Sequence, residues 1–144
     1  MKNIVILSLF MVTGIMVHAQ MTDLVVNTKK YHFTIKAPAG AVATEQFGQL
    51  KITAGNGYSL EVSDGYPTSV ASKKAELAKV KAYNFKAYVL DTPDGFIYST
   101  TLDTEHLFYA KKIGGNVFLF EDYKMGHFTH AQEQAMFDSA KSAK

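Results

Sequence analysis

The sequence contains no cysteine, no tryptophan and no arginine, and only three prolines in 144 residues. Without cysteine there can be no disulfide, no thiolate metal ligand and no thiol nucleophile. If the chain is exported to an oxidising compartment, its core alone must hold it together. A lipid-modified cysteine at an export cleavage site is excluded as well. Without arginine, all 15 basic residues are lysines. Lysine meets phosphate as a point charge, whereas the planar fork that reads phosphates, carboxylates and guanine edges belongs to arginine. Fifteen basic residues against 13 acidic ones give a formal net charge of +2, far from a basic nucleic-acid footprint, so nucleic acid is not an expected partner. Long apolar runs are scarce too. The one apolar block, Ile4 to Val17, is interrupted by Ser8, Thr13 and Gly14. It falls short of the ~20 apolar residues that cross a bilayer.

What stands at the N-terminus has another layout. Lys2 supplies a positive charge, the apolar block follows, and Val17-His18-Ala19 precedes Gln20. Small residues three and one before a cut mark a secretory signal peptide. Residues 1–19 are read as that signal and residues 20–144 as one domain, a length that suits a single core. The expectation is a soluble protein, periplasmic or secreted, with no membrane span after cleavage between Ala19 and Gln20.

Along residues 20–144 the dominant period is two. Leu24-Val25-Val26 is a short apolar run, and Tyr31, Phe33 and Ile35 share one face of a half-buried strand. Pro38, Gly40 and a polar stretch to Gln46 end it. Leu50 and Ile52, then Tyr58, Leu60 and Val62, alternate on either side of Gly55-Asn56-Gly57, a strong hairpin signal. From Thr68 or Ser69, either of which could cap, to about Ala82 the residues are helix formers. Val70, Leu77 and Val80 make a bulky stripe expected to face the core, against an alanine stripe at 71, 75, 78 and 82. Strands follow at 85–90, 96–101, 107–112 and 117–120, separated by turn-forming residues. Phe118-Leu119-Phe120 is apolar on both faces, as in a central strand covered on both sides. Thr129 caps a last helix, with Gln132 completing a capping box. The fold class is α+β: an antiparallel sheet of about six to eight strands with helices on its faces. Three or four strands, a helix, four strands and a helix follow one another.

This order resembles the PsbP-like family, whose fold is shared with a Ran-binding nuclear family. Tyr31-His-Phe-Thr-Ile-Lys-Ala-Pro-Ala-Gly is similar to that family's opening F-x-I-x-x-P-x-G strand and turn. The central helix, the four-strand meander carrying Tyr98, Tyr109 and Phe118-Leu119-Phe120, and the closing helix complete the likeness. One departure is Ala41-Val42-Ala43 where a tryptophan is frequent. The resemblance implies a non-catalytic domain that binds proteins or organises an assembly, and it transfers no site residues.

Chemistry-bearing patterns are sparse. His127 and His130 stand at the mouth of the last helix, and His106 lies beside Glu105. Zinc takes imidazole and carboxylate ligands, but with Thr129 as the cap His127 falls outside the helix, and no complete ligand set emerges. The domain is therefore expected to fold without metal. Glu121-Asp122 would point to opposite faces of a strand, at an end where acids ordinarily meet water. There is no G-x-S-x-G elbow, P-loop or dinucleotide turn. No catalytic, cofactor-binding or metal-ligating residue is assigned, although a triad can assemble from distant positions. Tyr31, Tyr58, Tyr88, Tyr98 and Tyr109 sit in strands, where sheet packing is a better account of them than an exposed patch. The expected function is an exported, non-catalytic binding or accessory domain that engages a protein partner in the periplasm or cell envelope. The alternative is a small-molecule carrier or modest hydrolase with a pocket between sheet and helix.

Overall fold

A computed structural model describes residues 20–55, 57–64 and 69–144. Residues 1–19, read above as an export signal, the hairpin residue Asn56 and Thr68, named as one of two caps, lie outside them. The described chain runs β1 (Met21–Asn27), β2 (His32–Pro38), β3 (Val42–Gln46), β4 (Gln49–Ala54), β5 (Tyr58–Ser63) and α1 (Val70–Lys79). It continues through β6 (Phe85–Asp91), β7 (Gly95–Thr100), β8 (Glu105–Ile113), β9 (Asn116–Asp122) and α2 (His130–Ser142). The class is α+β, as expected, with every strand pairing antiparallel.

The main sheet has seven strands in the order β3-β4-β5-β9-β8-β7-β6. Two meanders, β3–β5 and β6–β9, meet along one seam where Leu60 faces Asp122 and Val62 faces Phe120. β1 and β2 form a separate two-stranded sheet. They lie on the face that also carries α2, so Tyr31, Phe33 and Ile35 share a core with Phe118, Phe120, Met136 and Phe137. Thr34 exchanges two backbone hydrogen bonds with Lys144, at 2.9 and 3.0 Å, which ties the small sheet to the end of α2. The opposite face is covered by α1, with Leu77 against Phe96, Tyr98, Phe108 and Leu119.

This arrangement accounts for the double-sided apolar run in β9. Phe118 and Phe120 face one core and Leu119 the other, at 3%, 0% and 7% exposure. The tyrosines also pack as sheet residues. Tyr31, Tyr58, Tyr98 and Tyr109 are buried, and Tyr88 is half-buried.

Among the described residues five strands, not three or four, precede α1. The additional one is β3, formed by the polar stretch Val42–Gln46 and paired on one side only, with β4. Its polarity hid it, because an edge strand needs little apolar surface and polar side chains discourage further pairing. β4 and β5 form the expected hairpin, with Ala54 opposite Tyr58 and Gly57 at φ +77. β8 and β9 are joined by Gly114 and Gly115, both at positive φ (56 and 92), the two-residue turn that suits the sheet's twist.

α1 begins at the predicted cap: Ser69 accepts the Ser72 N–H at 3.1 Å. The bulky stripe does face the sheet, but its register is Val70, Lys73 and Leu77, while Val80 is 40% exposed. The alanines at 71, 75 and 78 face outward. α2 carries the full capping box: Gln132 N–H donates to Thr129 Oγ1 at 3.3 Å, and Thr129 N–H donates to Gln132 Oε1 at 2.8 Å. Thr129→Ala removes the first of these bonds and is expected to cost about 1 kcal/mol in a urea unfolding curve. An unchanged midpoint would show that tertiary packing alone sets this helix start.

Candidate functional site

Three side chains from three elements converge where β9 ends. β8 brings His106, β9 ends on Asp122, and the first turn of α2 brings Glu133. Asp122 is held from two directions: its Oδ1 accepts the Leu107 N–H at 2.9 Å, and its Oδ2 lies 2.7 Å from His106 Nδ1. The other imidazole nitrogen, Nε2, lies 3.2 Å from Thr104 Oγ1, which is 2.7 Å from Thr100 Oγ1. Glu133 is fully buried, and neither of its carboxylate oxygens has a hydrogen-bond partner among the described residues. One donor atom from each of His106, Asp122 and Glu133 falls within 4.8 Å of the others.

Burial and the neighbouring Asp122 and Glu105 carboxylates push the Glu133 carboxyl up to about 9. Its place near a helix N-terminus favours the anion, but not enough to offset desolvation and two like charges. Tyr98, whose ring centroid is 5.6 Å from that of His106, is raised by burial and by Asp122 and Glu121.

A cleft of about 200 Å³ opens on the α1 face beside this cluster. Lys73, Tyr83, Tyr98, Thr104, His106 and Asp122 are among the residues that line it. Lys73 is 7% exposed and pairs with Glu121 at 3.2 Å and Glu76 at 3.8 Å. Burial pulls its ammonium down, but the Glu121 charge and hydrogen bond outweigh it, so Lys73 is raised overall. Thr104, His106 and Asp122 follow one another as hydroxyl, imidazole and carboxylate, the order of a nucleophile, base and orienting acid. Two N–H groups beside Thr104 are not free for an oxyanion, because Leu102 and Thr104 both donate to Thr100 Oγ1, at 3.2 and 3.3 Å.

The three histidines read from sequence are not brought together. His106 joins Asp122, His130 pairs with Glu105 Oε2 at 2.8 Å, and His127 is exposed ahead of α2. Glu121 and Asp122 do face opposite ways, Glu121 toward Lys73. The expectation that both acids meet water fails for Asp122, which is 2% exposed because the start of β8 and α2 close over the strand end. Sequence reading missed Glu133 altogether. A signal was there: Glu133 stands at i relative to Met136, Phe137 and Ala140 at i+3, i+4 and i+7, so a carboxylate occupies the helix's apolar stripe.

A second feature stands away from this cluster, at the tip of the β3–β4 hairpin. Phe47 and Gly48 form the two-residue turn, with φ of 53 and 78. Phe47 is 99% exposed. The turn is braced from the β1–β2 connection, where Tyr31 Oη donates to the Gly48 carbonyl at 2.7 Å and Lys30 Nζ at 3.3 Å.

Comparison with protein-family models, with curated proteins and with solved structures gives no match to this chain. No helix among the described residues is long and apolar enough to cross a membrane.

Proposed function

We propose that the protein is an exported, non-catalytic binding domain that engages a protein partner in the periplasm or cell envelope, with the β3–β4 hairpin tip as its contact. The observation that carries this reading is Phe47. A bulky residue at positive φ costs about 1–2 kcal/mol, and asparagine or glycine is the usual occupant of that turn position. An aromatic ring held there in full solvent gains nothing for the fold. Strain of this kind collects where a side chain must be presented, and aromatic anchors dominate the energetics of protein contacts. The Tyr31 and Lys30 braces fix the tip, so little ordering entropy remains to be lost on binding. Membership of the PsbP-like family belongs to the same proposal, and rests on the opening strand, the meander after α1 and the closing helix.

A photo-crosslinking residue at position 47 is expected to trap one discrete protein in the envelope fraction, while the same residue at Val89, exposed on the far edge strand, does not. The exported chain should begin at Gln20. Excess unlabelled wild-type protein should suppress the crosslink and Phe47→Asn should not, while Phe47→Asn should stabilise the isolated domain by about 1 kcal/mol. Equal labelling from both positions, or a chain that keeps residues 1–19, would refute the reading.

A second reading, a small hydrolase, is favoured by the Thr104–His106–Asp122 line. Its cleft, about 200 Å³, lies below the ~300 Å³ at which pockets for small organic ligands begin, and the Leu102 and Thr104 N–H groups beside it already donate to Thr100 Oγ1. Turnover of a nitrophenyl ester that Thr104→Ala abolishes, with the fold intact, would move the conclusion to this reading.

A further inference from the structure

Neither reading uses Glu133. It is fully buried, unpartnered among the described residues, and faces a second buried carboxylate and an imidazole. A carboxylate in such a place requires a proton or a cation, since burying it ionised and alone is prohibitively costly. We propose that His106, Asp122 and Glu133 together bind one divalent transition-metal ion of the zinc class, with the cleft supplying water to the remaining coordination position.

The donor set selects the ion. One imidazole nitrogen with two carboxylates suits zinc, whereas calcium and magnesium seek six or more oxygen ligands. Two carboxylates also neutralise a doubly charged ion, so the buried site carries no net charge. The surroundings are those that ligands need. With His106 Nε2–H donating to Thr104 Oγ1, the Nδ1 lone pair is left for the ion, and the ring's orientation is fixed by the hydroxyl pair behind it. The Leu107 N–H holds Asp122 Oδ1, which leaves Oδ2 for the ion. Tetrahedral zinc with bonds of about 2.0–2.2 Å sets its donors roughly 3.3 Å apart. The 2.7 Å contact between His106 and Asp122 would open a little and Glu133 would draw in, within a set that already spans 4.8 Å. Access is direct, because His106 and Asp122 line the cleft. The hydrolase reading needs the other tautomer, with Nδ1–H donating to Asp122, and it leaves Glu133 with no role. The metal site stands whether or not Phe47 meets a partner.

The test uses the purified protein, stripped with a chelator and exchanged into chelator-free buffer. Titration with zinc chloride in a calorimeter should give one ion per chain, and zinc should raise the melting temperature by several degrees, while calcium and magnesium at the same concentration do neither. Glu133→Gln, which keeps the shape and removes the charge, should weaken zinc binding at least tenfold and erase the thermal shift. Asp122→Asn should do the same and provides an independent check should Glu133→Gln fold poorly. His130→Ala, which removes the exposed histidine paired with Glu105, should leave both effects intact. No stoichiometric zinc uptake, undiminished binding by Glu133→Gln or Asp122→Asn, or loss of binding in His130→Ala would each overturn the proposal.

Discussion

Phe120→Ala is expected to lower the free energy of unfolding by about 3–5 kcal/mol, and Leu119→Ala by about 2–5 kcal/mol, although the two side chains point to opposite faces of one strand. Phe120 is fully buried and stands edge-on to Phe33 at 6.0 Å, in the core shared with α2 and β2. Leu119 is 7% exposed and belongs to the core under α1. Each truncation removes transfer energy and leaves a cavity that close-packed neighbours fill only in part. Against the roughly 5–15 kcal/mol that separates native from unfolded domains, either change consumes a large share of the total. Denaturant titrations followed by tyrosine fluorescence would measure both. If Leu119→Ala proved neutral while Phe120→Ala was severe, α1 would be a loosely attached cover and the α1 face effectively wet.

The second large effect concerns pH in the chelated protein. Glu133 ionises near 4.5 when exposed and near 9 in the fold. Between those values the folded chain holds a proton that the unfolded chain has released, so stability falls as pH rises. The contribution is fully present below pH 4.5 and is lost progressively toward pH 9. At about 1.4 kcal/mol per unit, a rise from 4.5 to about 9 makes the full decline on the order of 6 kcal/mol. The groups facing it are Asp122, Glu105 and His106, with His130 on the same helix. Glu133→Gln should therefore be the more stable protein at pH 8.5, with the gap closing near pH 4.5. Parallel stability curves for the two proteins across that interval would show that Glu133 is not held in its protonated form.

Elements whose sequence period matches their burial were legible in advance. Tyr31 to Lys36, the β4–β5 hairpin, the double-sided β9 and the boxed start of α2 all announce themselves locally. β3 did not, because an edge strand pairs through its backbone and needs no apolar pattern. The separate placement of β1 and β2 was illegible for another reason: alternation reports that a face is buried, not which surface buries it. The register of α1 went astray at Lys73, a long side chain that is 7% exposed because its ammonium lies over the Phe108 and Tyr83 rings and reaches Glu121. The acid–histidine cluster is the clearest case. His106, Asp122 and Glu133 have no fixed spacing, because strand pairing and helix docking bring them together. Only the carboxylate in the apolar stripe of α2 pointed to it.

The seam between β5 and β9 also has a kinetic consequence. β6 to β9 is a run of tight turns that can zip up from local contacts, as can β3 to β5, but Val62 meets Phe120 only after α1 and three strands have been traversed. The long loop must be closed before the two meanders are rewarded with a common core, and such non-local pairing slows folding. Docking of one meander on the other is then the expected slow step of folding. Asp122 sits on that line opposite Leu60, so a metal ion held there would act as a clasp on the joint between the two meanders.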